Sequence, residues 1–336
     1  RLISSAASDV YKRQMKIFSD VASRGAFIMQ DDVDIFEKNL STYSNSNYAI
    51  GVGNATDGLE ISWMALNLRQ GDEVICCSHT MLATASAIKV AGGIPIPVEI
   101  GDDNLIDPDA GEASITSRTV GIMPTQLNGR TCDMERIMKI ADKYKLYVVE
   151  DAAQALGSKF KGKNAGTFGH ASAISFFPAK VLGCFGDGGA IICQDDTIYD
   201  RAYQLHDHGR DKNGEVKSWG RNSRLDNLQA AILNYNMSSY EQVIKRRREI
   251  ASKYLSKISI LEEENLELQM IDAYKEGYEE LEKGDVMYAA KKFNDAETLF
   301  PQSQWAPKSA LMAAYSYYVQ DYYGDAIAEL ERFIRV

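Results

Sequence analysis

Between Lys16 and Tyr254, short runs of β-branched and apolar residues alternate with longer stretches in which apolar positions return every three or four residues. The short runs predict strands at Tyr48–Val52, Glu73–Cys76, Ile94–Val98, Thr119–Met123, Tyr147–Glu150, Ala173–Phe176 and Ala190–Cys193. Helices are predicted between them. Val33, Phe36, Leu40 and Tyr43 keep helical spacing after Asp31 and Asp32, the expected caps, and Asp57 is expected to open a helix carrying Leu59, Met64 and Leu66. Leu225 to Tyr254 predicts one or two long helices, with Lys245-Arg246-Arg247-Arg248 on a solvated face. This alternation predicts an α/β fold, a mostly parallel sheet with helices on both faces.

Beyond about residue 260 the pattern is helical throughout. Gly277, Gly284, Ala289, Phe293, Ala296 and Pro301 fall on a tetratricopeptide spacing, and Ala314, Ala326, Leu330 and Phe333 repeat it 37 residues on, with Tyr323-Gly324-Asp325 as the expected turn. Small residues at such points let paired helices approach closely. Composition changes at the same place. Residues 261–336 hold 16 acidic and 7 basic side chains, a net charge of −9, against −1 for residues 1–260. The expected domains are therefore 15–258, an α/β enzyme-like body, and 259–336, an all-α tail.

The overall charge of −10 argues against nucleic-acid binding. No apolar run approaches bilayer length and the N-terminus lacks the apolar core of a signal peptide, so a cytoplasmic chain is expected. Five cysteines without a Cys-x-x-Cys pair predict buried thiols rather than disulfides or zinc. No metal site is expected, since His206 and His208 offer too few ligands, and His79 is expected to pack.

The chemistry gathers around Lys180, in SFFPAKVLGCFGDGGAI, with VVEDAAQALG about thirty positions before it. A lysine amine can form a Schiff base with an aldehyde cofactor, and pyridoxal phosphate also needs a carboxylate beside its ring nitrogen, which Asp151 can supply from a strand's carboxyl end. The GDGGA glycines are expected to let the backbone close around a flat ring. GVGNATDG reads as a strand, a glycine-flanked turn and a helix start, the arrangement that offers backbone amides to a phosphate.

These strings, with RGAFIMQ, FEKNL, GDEVICCSHTMLATASAI, MPTQLNGRTCDM and GRNSRLDNLQAAIL, resemble the DegT/StrS-type family of pyridoxal-phosphate sugar aminotransferases. The resemblance implies the large domain of a type I aminotransferase. It assigns catalysis to Lys180 and Asp151 and the cofactor phosphate to Thr56, Asp57, Ser175 and an Asn222 reaching across from a second subunit of a homodimer. Gln154 would bond the cofactor's phenolic oxygen. Met81 stands where many members stack an aromatic residue, which implies weaker cofactor affinity. The implied substrates are an amino-acid donor, glutamate by resemblance, and a nucleotide-linked ketosugar bound for surface polysaccharide or lipopolysaccharide. Sugar dehydratases and lyases share the fold, but lysine at position 180 favours amino transfer.

The family's small C-terminal domain is missing, so poor turnover is expected. In its place the tail, in GDVMYAAKKFNDAETLFPQS and WAPKSALMAAYSYYVQDYYGDAIAELERF, resembles the first repeats of the BamD-type outer-membrane assembly lipoprotein. That resemblance implies a periplasmic relative and leaves an interaction protein, with a protein partner for the tail, as the rival reading. Residues 1–14, ending in VYKRQ, read as a segment foreign to both, and the whole reads as a chimera, with a genuine two-domain fusion as the alternative reading.

Overall fold

The computed structural model describes residues 5–299, Pro301 and 305–335, so residues 1–4 of the suspected foreign segment lie outside the described residues. The chain divides into two compact units, Arg1–Ile244 and Lys245–Val336.

The first unit begins with α1 (Ser5–Arg24), α2 (Asp31–Ser44) and β1 (Tyr48–Val52), followed by α3 (Ala55–Ala65), β2 (Glu73–Cys77), α4 (Leu82–Val90) and β3 (Ile94–Val98). Then come α5 (Pro108–Ala113), β4 (Thr119–Met123), α6 (Met134–Tyr144) and β5 (Tyr147–Asp151). A hairpin of β6 (Lys159–Phe160) and β7 (Lys163–Asn164) precedes β8 (Ala171–Ser175), β9 (Gly189–Cys193), α7 (Asp196–His206) and α8 (Asn227–Met237). The long helix α9 (Tyr240–Lys283) starts in this unit and continues past the compositional boundary near residue 260.

Seven strands form one sheet in the order β1-β9-β8-β5-β4-β2-β3. β2 runs parallel to β3 and β4, β4 to β5, and β5 to β8, whereas β9 is antiparallel to both β8 and β1. All seven expected strands are present. Alternate residues of a strand feed opposite faces: Ile50, Val149, Ala173 and Ile191 join the core under α3, α4 and α7, while Ala49, Ile174, Ala190 and Ile192 join the core under α2 and α8. Val148, with Met134, Ile137 and Ile140 of α6, builds a third cluster. Each fully buried Ile or Leu contributes roughly 1.5–3 kcal/mol of transfer free energy.

Two expected caps are displaced. Gln30, not Asp31 or Asp32, is the N-cap of α2, and the aspartates lie in its first turn, where the helix dipole favours negative charge. Asn54 rather than Asp57 caps α3, its side chain accepting from the Asp57 N–H at 2.9 Å. The β6–β7 hairpin was not expected. It turns on Lys161 and Gly162, with φ of 48° and 84°, the pair of left-handed residues that a two-residue hairpin requires.

The second unit contains the rest of α9 with α10 (Val286–Leu299), α11 (Ala306–Tyr318) and α12 (Tyr323–Arg335). Ala289 and Phe293 of α10 and Ala313 of α11 are completely buried, packed by Tyr274, Leu281 and Met312. Gly277 on α9 faces the Phe293 ring so closely that an added Cβ would stand 3.0 Å from it. The first repeat follows the predicted spacing, and Gly284, at φ 88°, makes the turn between α9 and α10. The second repeat departs from it in two places. Tyr323-Gly324-Asp325 is the first turn of α12 rather than the link before it, and Leu330 is 39% exposed. Among the described residues no helix is long and apolar enough to cross a membrane.

Candidate active site

The carboxyl ends of β1, β2, β5 and β8 lead directly into the residues singled out in the sequence. Asp151, the last residue of β5, is 5% exposed. Its Oδ2 accepts from the Thr84 hydroxyl at 2.6 Å and its Oδ1 from the Ala153 N–H at 3.2 Å. Burial pushes the carboxyl above the ordinary aspartate range, while the Thr84 and Ala153 bonds and the positive charge of Lys180 pull it back. Lys180 therefore lies within electrostatic reach of Asp151. It sits partly buried in a turn whose N–H bonds the Phe177 carbonyl at 2.8 Å.

At the end of β1 the chain turns through Gly53 and Asn54 into α3. Asn54 satisfies the Asp57 N–H and its own carbonyl takes the Gly58 N–H, while Thr56 lies partly buried in the first turn of α3, the end of a helix that favours an anion. Asp57 does not present a bare charge there. Its Oδ2 accepts from the Ser223 hydroxyl at 2.7 Å, and that hydroxyl accepts from the Gly53 N–H at 3.0 Å. Ser175, at the end of β8, accepts from the Phe177 N–H at 3.3 Å. Gln154 turns its Oε1 toward the Asn128 N–H at 2.9 Å, which leaves its amide NH2 as the outward end. Met81, the N-cap position of α4, is 68% exposed. Asn222 is exposed and pairs with Asp207 in an antiparallel bridge.

Two of the GDGGA glycines pack closely within the fold. A Cβ on Gly189 would stand 2.6 Å from the Asn54 carbonyl carbon and 2.7 Å from the Ala55 nitrogen, and one on Gly188 would stand 2.9 Å from the Cys184 sulfur. Gly189 thus allows β9 to press backbone to backbone on the start of α3, and Gly188 leaves room for the Cys184 sulfur. The expectation that His79 packs is corrected, since it is exposed. His206 is buried, its Nδ1 at the Tyr203 carbonyl, and burial lowers its pKa. All five cysteines are buried and unpaired, as anticipated.

Several polar residues of this region escaped the sequence reading. Asn54 was legible as the first member of an Asn-x-x-Asp start. Ser223 carried no local signal. Thr84 and Thr80 lie four apart among small residues and resemble helix filler until the fold sets them against Asp151. Glu150, fully buried on the other side of β5, accepts from Gln126 Nε2 and from the N–H groups of Gly166, Phe168 and Gly169 at 2.7–2.8 Å. It fixes the loop that enters β8.

An open, mostly parallel sheet with a lysine and a buried carboxylate at its carboxyl ends, beside a helix start, defines an α/β fold of the aminotransferase type. Residues 9–279 match the pattern of the DegT/DnrJ/EryC1/StrS aminotransferase family, and the chain belongs to that family. Residues 266–336 match a second pattern, YfiO, an outer membrane lipoprotein. The chain is 36% identical over 237 residues to dTDP-3-amino-3,4,6-trideoxy-alpha-D-glucose transaminase of Streptomyces venezuelae, covering 70% of this chain and 62% of that one. It is 43% identical over 249 residues to dTDP-3-amino-3,6-dideoxy-alpha-D-galactopyranose transaminase of Aneurinibacillus thermoaerophilus, covering 74% and 68% respectively. The crystal structure of NtdA from Bacillus subtilis with bound cofactor PMP superposes with a TM-score of 0.71 at 35% identity, covering 78% of this chain and 60% of that one. This chain thus spans less than two thirds of the length of the Streptomyces relative.

Proposed function

We propose that the α/β unit is a pyridoxal-phosphate-dependent aminotransferase that moves an amino group from an amino acid, glutamate in the simplest case, to the keto group of a nucleotide-linked sugar. The observation that carries this reading is a buried Asp151 at the end of β5 and Lys180 just past the end of β8, in a chain of the aminotransferase family. The residues fit the cofactor. The N–H groups at the start of α3, with Thr56, Ser175 and Asn222, would supply donors for its phosphate, and Asp57 positions Ser223 beside them. Asp151 would hold the ring nitrogen, the Gln154 NH2 would serve the phenolic oxygen, and the exposed Met81 thioether would lie against the ring.

Bound there, the cofactor supplies a protonated ring that accepts the electron pair released when the donor's Cα–H bond breaks. Asp151, ionised, keeps that ring nitrogen protonated. Lys180 Nζ would hold the cofactor, and as a free amine it would be the base that takes the proton from the donor's Cα and gives it back. The same amine would serve as the proton carrier when the sugar is the acceptor.

A second copy of the chain completes the site in this reading. Ser223 is turned inward to Asp57, so in an extended segment its neighbour Asn222 points the opposite way, toward a partner. We place the reaction in the cytoplasm, where nucleotide-linked sugars are available, and its products in surface polysaccharide.

The test is spectroscopic. Protein mixed with pyridoxal phosphate gains a visible absorbance band, borohydride fixes the label on the peptide containing Lys180, and Lys180→Ala shows neither. Glutamate then bleaches the band and releases 2-oxoglutarate, whereas a lyase or dehydratase leaves glutamate intact. Asn222→Ala binds the cofactor about tenfold more weakly, the loss of one charge-assisted bond. Labelling elsewhere than Lys180 would overturn the assignment.

A further inference from the structure

Asp151 is reached by a line of hydroxyls. Thr84 Oγ1 lies 2.6 Å from Asp151 Oδ2, Thr80 Oγ1 lies 2.7 Å from Thr84 Oγ1, and Thr125 Oγ1 lies 3.1 Å from Thr80 Oγ1. Thr84 is completely buried and Thr125 is 4% exposed. They come from three places in the fold: Thr84 from α4, Thr80 from the segment ahead of it, and Thr125 from the chain just past β4, where it pairs in a parallel bridge with Asp151 itself.

The proton directions in this line are forced. An ionised carboxylate only accepts, so the single Thr84 proton must go to Asp151. The Thr84 oxygen then accepts from Thr80, and Thr80, its proton spent, accepts from Thr125. We propose that Thr84, Thr80 and Thr125 form a one-way hydroxyl chain that orients the Asp151 carboxylate and stabilises its ionised form. The three threonines are positioning residues, and the proposal rests on the reading above that Asp151 serves the cofactor's ring nitrogen.

Two features give the chain work to do. Aligned hydroxyls polarise one another in a low-dielectric setting, so each one downstream strengthens the bond that reaches the carboxylate. Burial alone drives this aspartate toward its neutral form, which cannot hold a ring nitrogen protonated. Opposing that drive are the Thr84 chain, the Ala153 N–H at 3.2 Å and the charge of Lys180; Glu150, next in sequence, is committed to Gln126 and the 166–169 loop. Thr80 also immediately precedes Met81, so the chain ties the strap that carries the ring-facing thioether to the carboxylate.

The experiment is a carbon-13 NMR titration of the cofactor-free full chain labelled at aspartate, with Asp151→Asn assigning the resonance. Thr84→Val keeps the side chain's shape, removes the donor and raises the Asp151 midpoint by about one pH unit or more. Thr84→Ser returns it to the wild-type value. Thr125→Val, two hydroxyls away, raises it by a smaller amount. A midpoint unmoved in Thr84→Val, or moved equally by Thr84→Ser, overturns the proposal. Should Thr84→Val not fold, Thr125→Val decides alone, with an unchanged midpoint overturning it. The cofactor-free readout separates this result from the function itself: a wild-type protein that takes up no pyridoxal phosphate refutes the aminotransferase reading and leaves the titration standing.

Discussion

The two compact units solve the problem of a buried interior in opposite ways. The α/β unit buries charged groups and satisfies them: Glu150 with four donors, Asp151 with a hydroxyl and an amide, and Glu73 with Thr116 and Arg118. The helical unit buries alanines, two serines, Val286, Met270 and the ring of Phe293, and among the described residues it buries no carboxylate. Polar burial is expensive and directional, so it specifies where loops and strand ends must lie. Small-residue packing specifies only how closely two helices approach. A reactive centre belongs with the first kind of interior.

That contrast can be broken most forcefully at Glu150. Glu150→Ala orphans four buried donors and should destabilise the α/β unit by roughly 4 kcal/mol or more, read as lost amide-exchange protection in β5 and β8 with α10 to α12 as the control. Protection that stays intact would show that the buried charge organises nothing. Phe293→Ala is the counterpart in the helical unit. Emptying this fully buried aromatic position should cost about 3–4 kcal/mol, confined to α9 to α12.

The smallest effect sharpens the comparison through pH. Glu37 accepts from the Gly51 N–H at 2.7 Å, and burial lifts its carboxyl from 4.5 to about 7. Below 4.5 the group is protonated whether the chain is folded or not. Between 4.5 and 7 the folded protein retains a proton that the unfolded chain releases, so stability falls as pH rises through this window and the full cost is present above 7. Glu37→Gln keeps the acceptor and removes the titration. The variant should match wild type at pH 4 and exceed it at pH 8 by up to about 3 kcal/mol in denaturant unfolding. Equal stability at both values would mean that the carboxyl titrates normally.

The main elements were legible because each has a period. Every main strand carries enough alternating or continuous apolar residues to announce itself, and the repeat spacing of α10 follows from Ala289, Phe293 and Ala296. The hairpin of Lys159–Phe160 and Lys163–Asn164 was invisible because two residues have no period. Among site residues, Lys180 and Asp151 stand out by chemical type in a local string. Thr84, Thr125 and Ser223 do not, since a threonine or serine acquires meaning only from what the fold sets opposite it. The same holds for Gly189, whose task depends on the peptide between Asn54 and Ala55.

The antiparallel course of β9 has a consequence for how the molecule comes into being. β1 lies at the edge of the sheet, and its ladder pairs Tyr48 with Cys193 and Val52 with Gly189. During synthesis the strand Tyr-Ala-Ile-Gly-Val is among the first apolar segments to emerge, yet it has no ladder to join until the chain through Cys193 has followed. Such distant pairing is slow, and an exposed apolar strand is prone to associate with other chains in the interval. The turn through Gly53 and Asn54 is thus among the last parts of the α/β unit to be locked, and a nascent chain that stalls before Gly189 holds the lysine without the strand that packs on that turn.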